Sequence, residues 1–206
     1  MNGGCARRAV TTARIVTLGS ATVLRNHCAM SEPAISVRLA KPADAEGIAR
    51  VYIEAWHDTY AAILPMRLLC AMTPRGQTAR WGHAVRARGE AVFVAEDDRR
   101  NIVGMASCGR SRDGALPFDG EVYTLYVDPA VYGCGIGRAL LSTAFGWMTD
   151  RGYESCVIWA HAKNNARFFY EKMGGRLVAE RAARMMGDPV PEAAFGWRKL
   201  ALAERA

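Results

Sequence analysis

From residue 35 onward the chain switches between two hydrophobic periods, and each switch marks an element. Residues 35–39 (Ile-Ser-Val-Arg-Leu) alternate apolar and polar, as a half-buried strand does. Pro42 and Asp44 suit a helix start. Ile48, Val51, Tyr52, Ala55 and Trp56 then recur at the spacing of a buried helical face. Pro65 interrupts the chain, and a second helix is predicted over roughly 76–88, ending at Gly89. Two strand runs follow, 91–95 and 102–106, joined by the polar turn 97–101, which predicts a hairpin. Residues 121–127 (Glu-Val-Tyr-Thr-Leu-Tyr-Val) read as a further strand, closed by Asp128-Pro129. After a glycine-rich loop, Ile136, Leu140, Thr143, Ala144 and Trp147 stripe a helix to about 150, which Gly152 ends. A strand at 156–160, a helix carrying Ala166, Phe169, Tyr170 and Met173, and two weaker strands at about 176–184 and 194–200 complete the order.

The strand–helix–strand unit at 121–160 requires parallel strands joined by a crossover, whereas the hairpin before it and the pair after it are antiparallel. The expected class is therefore α/β (α+β), with a mixed sheet. The first thirty residues carry no defensible period. They hold Arg7, Arg8, Arg14 and Arg25 and no acid, so that +4 of the net charge of +7 resides there. A second methionine, Met30, precedes the first strand. Residues 1–33 read either as a targeting or regulatory extension or as a tail outside the domain or an early-assigned start. The domain is expected over 34–204.

Composition narrows the function. Half of the chain is hydrophobic and 23% is charged, a folded rather than a disordered balance. No apolar run approaches the ~18 residues of a membrane span, so no membrane association is expected. The six cysteines (5, 28, 70, 108, 134, 156) form no CxxC pair, which argues against a zinc ribbon or a disulfide framework and for a reducing, cytoplasmic setting. The four histidines (27, 57, 83, 161) form no HxH or HExxH group, so no metal site is expected. Arginines outnumber lysines 23 to 4, but no basic stripe interleaved with aromatics exists, and no nucleic-acid partner is expected.

The segment Val131-Tyr132-Gly133-Cys134-Gly135-Ile136-Gly137-Arg138 lies between a strand end and a helix start. Glycines there let successive backbone N–H groups converge on an anion, and the helix adds its positive dipole end. Arg138 adds a charge in the first turn. A Walker A loop would require Lys-Ser/Thr, which is absent. A dinucleotide fingerprint would require GxGxxG, whereas the spacing is GxGxG. A tight turn without a ligand is the bland alternative. Cys134 has no histidine nearby in sequence to make it a nucleophile. His57, His161 and Trp159 read as surface or core positions before they read as site residues.

This run resembles the acetyl-CoA-binding motif of the GNAT superfamily of N-acyltransferases. The family pattern Gln/Arg-x-x-Gly-x-Gly/Ala falls on Tyr132, Gly135 and Gly137. Residues 169–175 (Phe-Tyr-Glu-Lys-Met-Gly-Gly) are similar to the family's second recurring run, and the resemblance extends over roughly 35–200. It implies a mostly antiparallel central sheet flanked by helices, with one parallel pair forming a V-shaped cofactor cleft. Acetyl-CoA is the implied co-substrate. Its tether would lie along Leu125, Tyr126 and Val127, with an oxyanion contact from main-chain N–H near Val127. Its diphosphate would lie on Tyr132, Gly133, Cys134, Gly135, Ile136, Gly137 and Arg138. Two departures stand out. Tyr132 replaces the usual Gln or Arg, and Lys163 occupies the place of a family Asn, with Asn164 as the nearest substitute.

Tyr170 is the expected general acid, because a phenol is protonated at neutral pH and can donate to a departing thiolate. Glu121 is the candidate base, on the assumption that strand alternation puts it on one face with Tyr123, Leu125 and Val127. The implied activity is N-acetyl transfer to a primary amine by direct attack, the acceptor being a small molecule or a peptide N-terminus. A homodimer is compatible with the resemblance. A non-catalytic acyl-CoA sensor on the same fold is the alternative.

Overall fold

The computed structural model describes residues 35–185 and 187–201. The readings made for residues 1–33 and for the end of the chain lie outside these. The elements are β1 (Ser36–Leu39), α1 (Ala45–Tyr60), α2 (Met66–Cys70), α3 (Pro74–Ala84), β2 (Glu90–Glu96), β3 (Ile102–Arg110), β4 (Gly120–Val127), α4 (Ile136–Thr149), β5 (Cys156–His161), α5 (Ala166–Lys172), β6 (Arg176–Met185) and β7 (Asp188–Trp197). They follow the predicted order with one addition. The short helix α2 was not foreseen, because its five residues, Met66 to Cys70, are too few to display a period. The third helix also starts earlier than its pattern suggested: Pro74 occupies its first turn and Thr73 caps it by accepting from the Gly76 N–H at 3.2 Å.

The seven strands form one sheet in the order β1-β2-β3-β4-β5-β7-β6. All neighbours are antiparallel except β4 and β5. The last strand begins at Asp188, six residues before its predicted start. There it completes a long hairpin with β6, whose alternation is hidden by its many exposed positions.

Helices cover both faces. On one, Ile136, Leu140, Leu141, Ala144 and Met148 of α4, with Tyr170 and Met173 next to them, pack on Phe93, Ala106, Val122, Ile158 and Phe195. On the other, Ile48, Val51 and Tyr52 of α1 and Trp81 of α3 pack on Val92, Val94 and Met105. A third cluster joins Trp56 and Tyr60 of α1 and Leu68 and Leu69 of α2 to Val190 of β7.

Two irregularities of β4 shape the interior. First, the parallel pairing with β5 covers only Gly120–Val122 against Cys156–Ile158. Beyond it the strands diverge, and the β4 edge from 123 to 127 opens into the protein. Second, Ser107 pairs with Thr124 and the adjacent Cys108 with Val122, so Tyr123 is an extra residue, a β-bulge.

Candidate active site

The divergence of β4 and β5 opens a cavity of about 930 Å³ that runs through the sheet. This is within the usual range for small-molecule sites. One side is the loop before α4. Gly133 has φ +85° and Gly135, the helix N-cap, φ +78°, a region that L-residues enter only at a cost. A Cβ at Gly133 would meet nothing within 4 Å, and one at Gly137 would press on the Phe169 ring at 3.3 Å. The loop is thus backbone facing open space. The first turn of α4 has no preceding turn to accept its amides, and Gly133, Gly135, Ile136, Gly137 and Arg138 all line the cavity. Arg138 also reaches the Met173 sulfur at 3.6 Å, and Cys134 is half-buried among core neighbours. The arrangement suits a diphosphate: converging amides, a helix N-terminus, one guanidinium and no carboxylate within the loop itself.

Tyr132 lines the cavity as well, with its side chain turned to α1. Its hydroxyl donates to the Asp58 carboxylate of α1 at 3.3 Å. Partial burial and the nearby Asp58 charge push the phenol up to about 12, so it remains a donor. The side chain therefore ties the loop to α1, while the backbone is left to form the cradle.

Leu125, Tyr126 and Val127 lie on the open edge of β4 and line the cavity, as do Phe169 and Tyr170 of α5. Tyr170 is 4% exposed, with its ring against Phe169, Phe195 and Trp197 at centroid distances of 5.5, 5.6 and 6.4 Å. Burial pushes its phenol well above the ordinary value, which keeps the proton on the oxygen. Asn164 is also buried and lines the cavity. Its Oδ1 accepts from the Ala166 N–H at 2.8 Å and its Nδ2 donates to the Tyr60 hydroxyl at 3.3 Å.

Glu121 requires a correction. The bulge at Tyr123 breaks the alternation that placed it with Leu125 and Val127. Its carboxylate lies outside the large cavity, in a separate recess formed with Arg112, Asp113, Gly114, Trp159 and Arg181. Arg112 binds it through both main chain and side chain. The Arg112 N–H donates at 2.9 Å, Nε at 3.2 Å and Nη2 more closely.

The wall opposite α4 is built partly from the end of the first helix and the 57–75 loop, which the resemblance implies as the acceptor pocket, and partly from β4, which sequence reasoning did not assign to it. Tyr60, Ile63, Thr124 and Tyr126 line it. Tyr126 had been valued only for its backbone, and Thr124 had not been singled out. The Tyr126 hydroxyl is buried beside that of Tyr60, and desolvation pushes both phenols up. Trp159 lines the cavity too, with Arg181 stacked 3.8 Å above its ring. His57 is exposed and holds α2 instead, its Nε2 3.1 Å from the Leu69 carbonyl. His161 is buried at the end of β5, where its Nδ1 accepts from the Lys163 N–H at 3.0 Å and burial lowers its pKa. Among the described residues no cluster of potential metal ligands occurs and no helix is long and apolar enough to cross a membrane.

A mixed seven-stranded sheet split at its one parallel pair, with a glycine loop and helix start at the split, is the architecture that the sequence resemblance implied. The family model described as Acetyltransferase (GNAT) domain matches residues 88–174, which include the split and the loop. An uncharacterized N-acetyltransferase of Bacillus subtilis, YuaI, is 30% identical over 167 residues, 81% of this chain and 94% of its own length. The chain belongs to the GNAT acetyltransferase family. The [ribosomal protein bS18]-alanine N-acetyltransferase of Haemophilus influenzae is 30% identical over 77 residues, 37% of this chain and 49% of its own. The fold is that of the PaiA N-acetyltransferase of Thermoplasma acidophilum, a structure in complex with coenzyme A. The two superpose with a TM-score of 0.61 at 18% identity, over 78% of this chain and 98% of the other.

Proposed function

We propose that the protein transfers an acetyl group from acetyl-CoA to a primary amine by direct attack. One observation carries this reading. The glycine cradle, the open edge of β4 and the Tyr170 phenol all face one cavity, the arrangement that a thioester and an amine need in order to meet. The coenzyme A bound by the Thermoplasma protein of the same fold agrees with it.

Acetyl-CoA, when bound, supplies the acetyl group as a thioester. The residues of the chain provide the remainder. Backbone amides from Gly133 to Gly137 and the α4 dipole hold the diphosphate, with Arg138 beside them. Backbone groups along Leu125, Tyr126 and Val127, on the β4 edge that β5 leaves open, orient the tether, and an N–H near Val127 faces the carbonyl oxygen as it gains charge. The neutral amine attacks the carbonyl carbon, so that a C–N bond forms as the C–S bond breaks. Tyr170 gives its proton to the leaving sulfur and regains one from the amine nitrogen through water. An amide and a free thiol are released, and the enzyme is unchanged. Glu121 has no step here, because Arg112 holds its carboxylate outside the cavity.

Isothermal calorimetry with acetyl-CoA, followed by thiol release over an amine panel, tests the reading. Heat of binding together with amine-dependent release supports it. Binding without release on any amine would identify an acyl-CoA sensor instead.

A further inference from the structure

The cavity has two unlike halves. The charged lining residues Arg138 and Lys172 belong to the glycine loop helix and to α5, on the proposed cofactor side. The third charged one, Asp58, has its carboxylate engaged by Tyr132 at the rim. The wall across from α4, made by Tyr60, Ile63, Thr124, Tyr126 and Trp159, carries no charge. Its tyrosines belong to a continuous aromatic stack: Trp56 and Tyr60 lie 4.3 Å apart, and Tyr52 meets Tyr126 edge-on at 5.0 Å.

That wall is also closed from outside. The β6–β7 hairpin folds its end onto α2. Val190 enters the cluster of Trp56, Tyr60, Leu64, Leu68 and Leu69, and Asp188 pairs with Arg67. The outer edge of β5 is taken by β7 as far as His161, and the next N–H, of Ala162, donates to the Pro191 carbonyl at 2.8 Å. Two strand edges face the cavity beyond the split: β4 from 123 to 127, which the cofactor tether would use, and the three residues of β5 from 159 to 161. An extended peptide would have only that short β5 edge on which to align, directly across the split from the tether, whereas the wall itself offers side chains and no strand edge. An aryl or alkyl body would bury apolar surface there and pack edge-to-face.

We propose that the acceptor is a small primary amine with an apolar or aromatic body, and not a polypeptide N-terminus. This rests on the N-acetyltransferase reading and follows the same bond changes. It separates the protein from its Haemophilus relative, whose acceptor is a ribosomal-protein alanine.

The test uses the full chain with saturating acetyl-CoA and three probes: phenethylamine, spermidine and an alanine-initiated hexapeptide with an amidated C-terminus. The expected result is a kcat/KM for phenethylamine at least tenfold above either other probe. Ile63→Asp should lower that value about tenfold while the KM for acetyl-CoA is unchanged, and the milder Ile63→Ser should lower it severalfold. Equal or better use of the peptide or of spermidine would overturn the proposal, as would indifference to both Ile63 variants. Acetyl-CoA binding with no transfer to any probe would instead overturn the transferase reading on which it rests.

Discussion

The side-chain amide of Asn164 donates to the hydroxyl of Tyr60 at 3.3 Å, linking two residues 104 positions apart. The contact joins the end of α1 to the turn that starts α5, on opposite sides of the split sheet. The same Asn164 caps that turn through the Ala166 N–H, so one buried side chain sets α5, and with it Tyr170, relative to the aromatic wall. The two proposed functional halves of the cavity are thereby held in one geometry.

Tyr170→Phe is expected to lower kcat by about a hundredfold or more, the lower range of general acid catalysis. It keeps the ring that packs on Phe195 and Trp197, so the melting temperature and the Kd for acetyl-CoA should change little. Steady-state kinetics with calorimetry on the same sample checks this. An unchanged kcat would remove Tyr170 from the proton path.

Two glycines of α4 should respond oppositely to alanine. At Gly137 the new methyl would press on Phe169 at 3.3 Å inside the cradle, and acetyl-CoA binding should weaken at least fivefold. At Gly146 the methyl meets nothing within 4 Å, and the variant should gain roughly 0.5–1 kcal/mol from the reduced freedom of the unfolded chain. Urea unfolding and calorimetric titration of both variants make the comparison.

Glu121→Gln should leave the limbs of the pH–rate profile where they are and lower the melting temperature instead. The carboxylate is 3% exposed and accepts from the Arg112 main chain and side chain, so its charge serves the loop that follows β3. A displaced alkaline or acid limb would restore Glu121 as a base.

Stability should fall in acid through Arg38. Its guanidinium donates to Asp44 at 2.7 Å and to Glu96, and these hydrogen bonds hold both carboxyl groups below their ordinary values of 3.8 and 4.5. The unfolded chain then binds protons more readily than the fold does. The stabilisation is complete above about pH 5 and is lost as pH drops through the lowered folded values. Arg38→Met should therefore lower the urea midpoint clearly at pH 7 and much less near pH 3. A pH-independent gap would show that Arg38 acts by packing alone.

Much of the architecture was legible along the chain. β2, β3 and β5 carry unbroken apolar runs, α1 and α4 carry clean helical stripes, and Gly133, Gly135 and Gly137 announce a backbone-lined loop, because each signal comes from residues adjacent in sequence. The short α2 and the start of β7 were not, since five residues show no period and a hairpin exposed to solvent hides its alternation.

The sequence by itself determined the element order, the mixed sheet and the place of the cradle, for local periodicity and glycine chemistry need no partner to be read. The tertiary structure alone decided which side chains meet. The bulge at Tyr123 turned Glu121 away from the cavity and toward Arg112, and the split between β4 and β5 let Tyr60, Tyr126 and Asn164 converge. Such outcomes depend on how distant strands pair, and one extra residue in a ladder reverses the facing of every position beyond it.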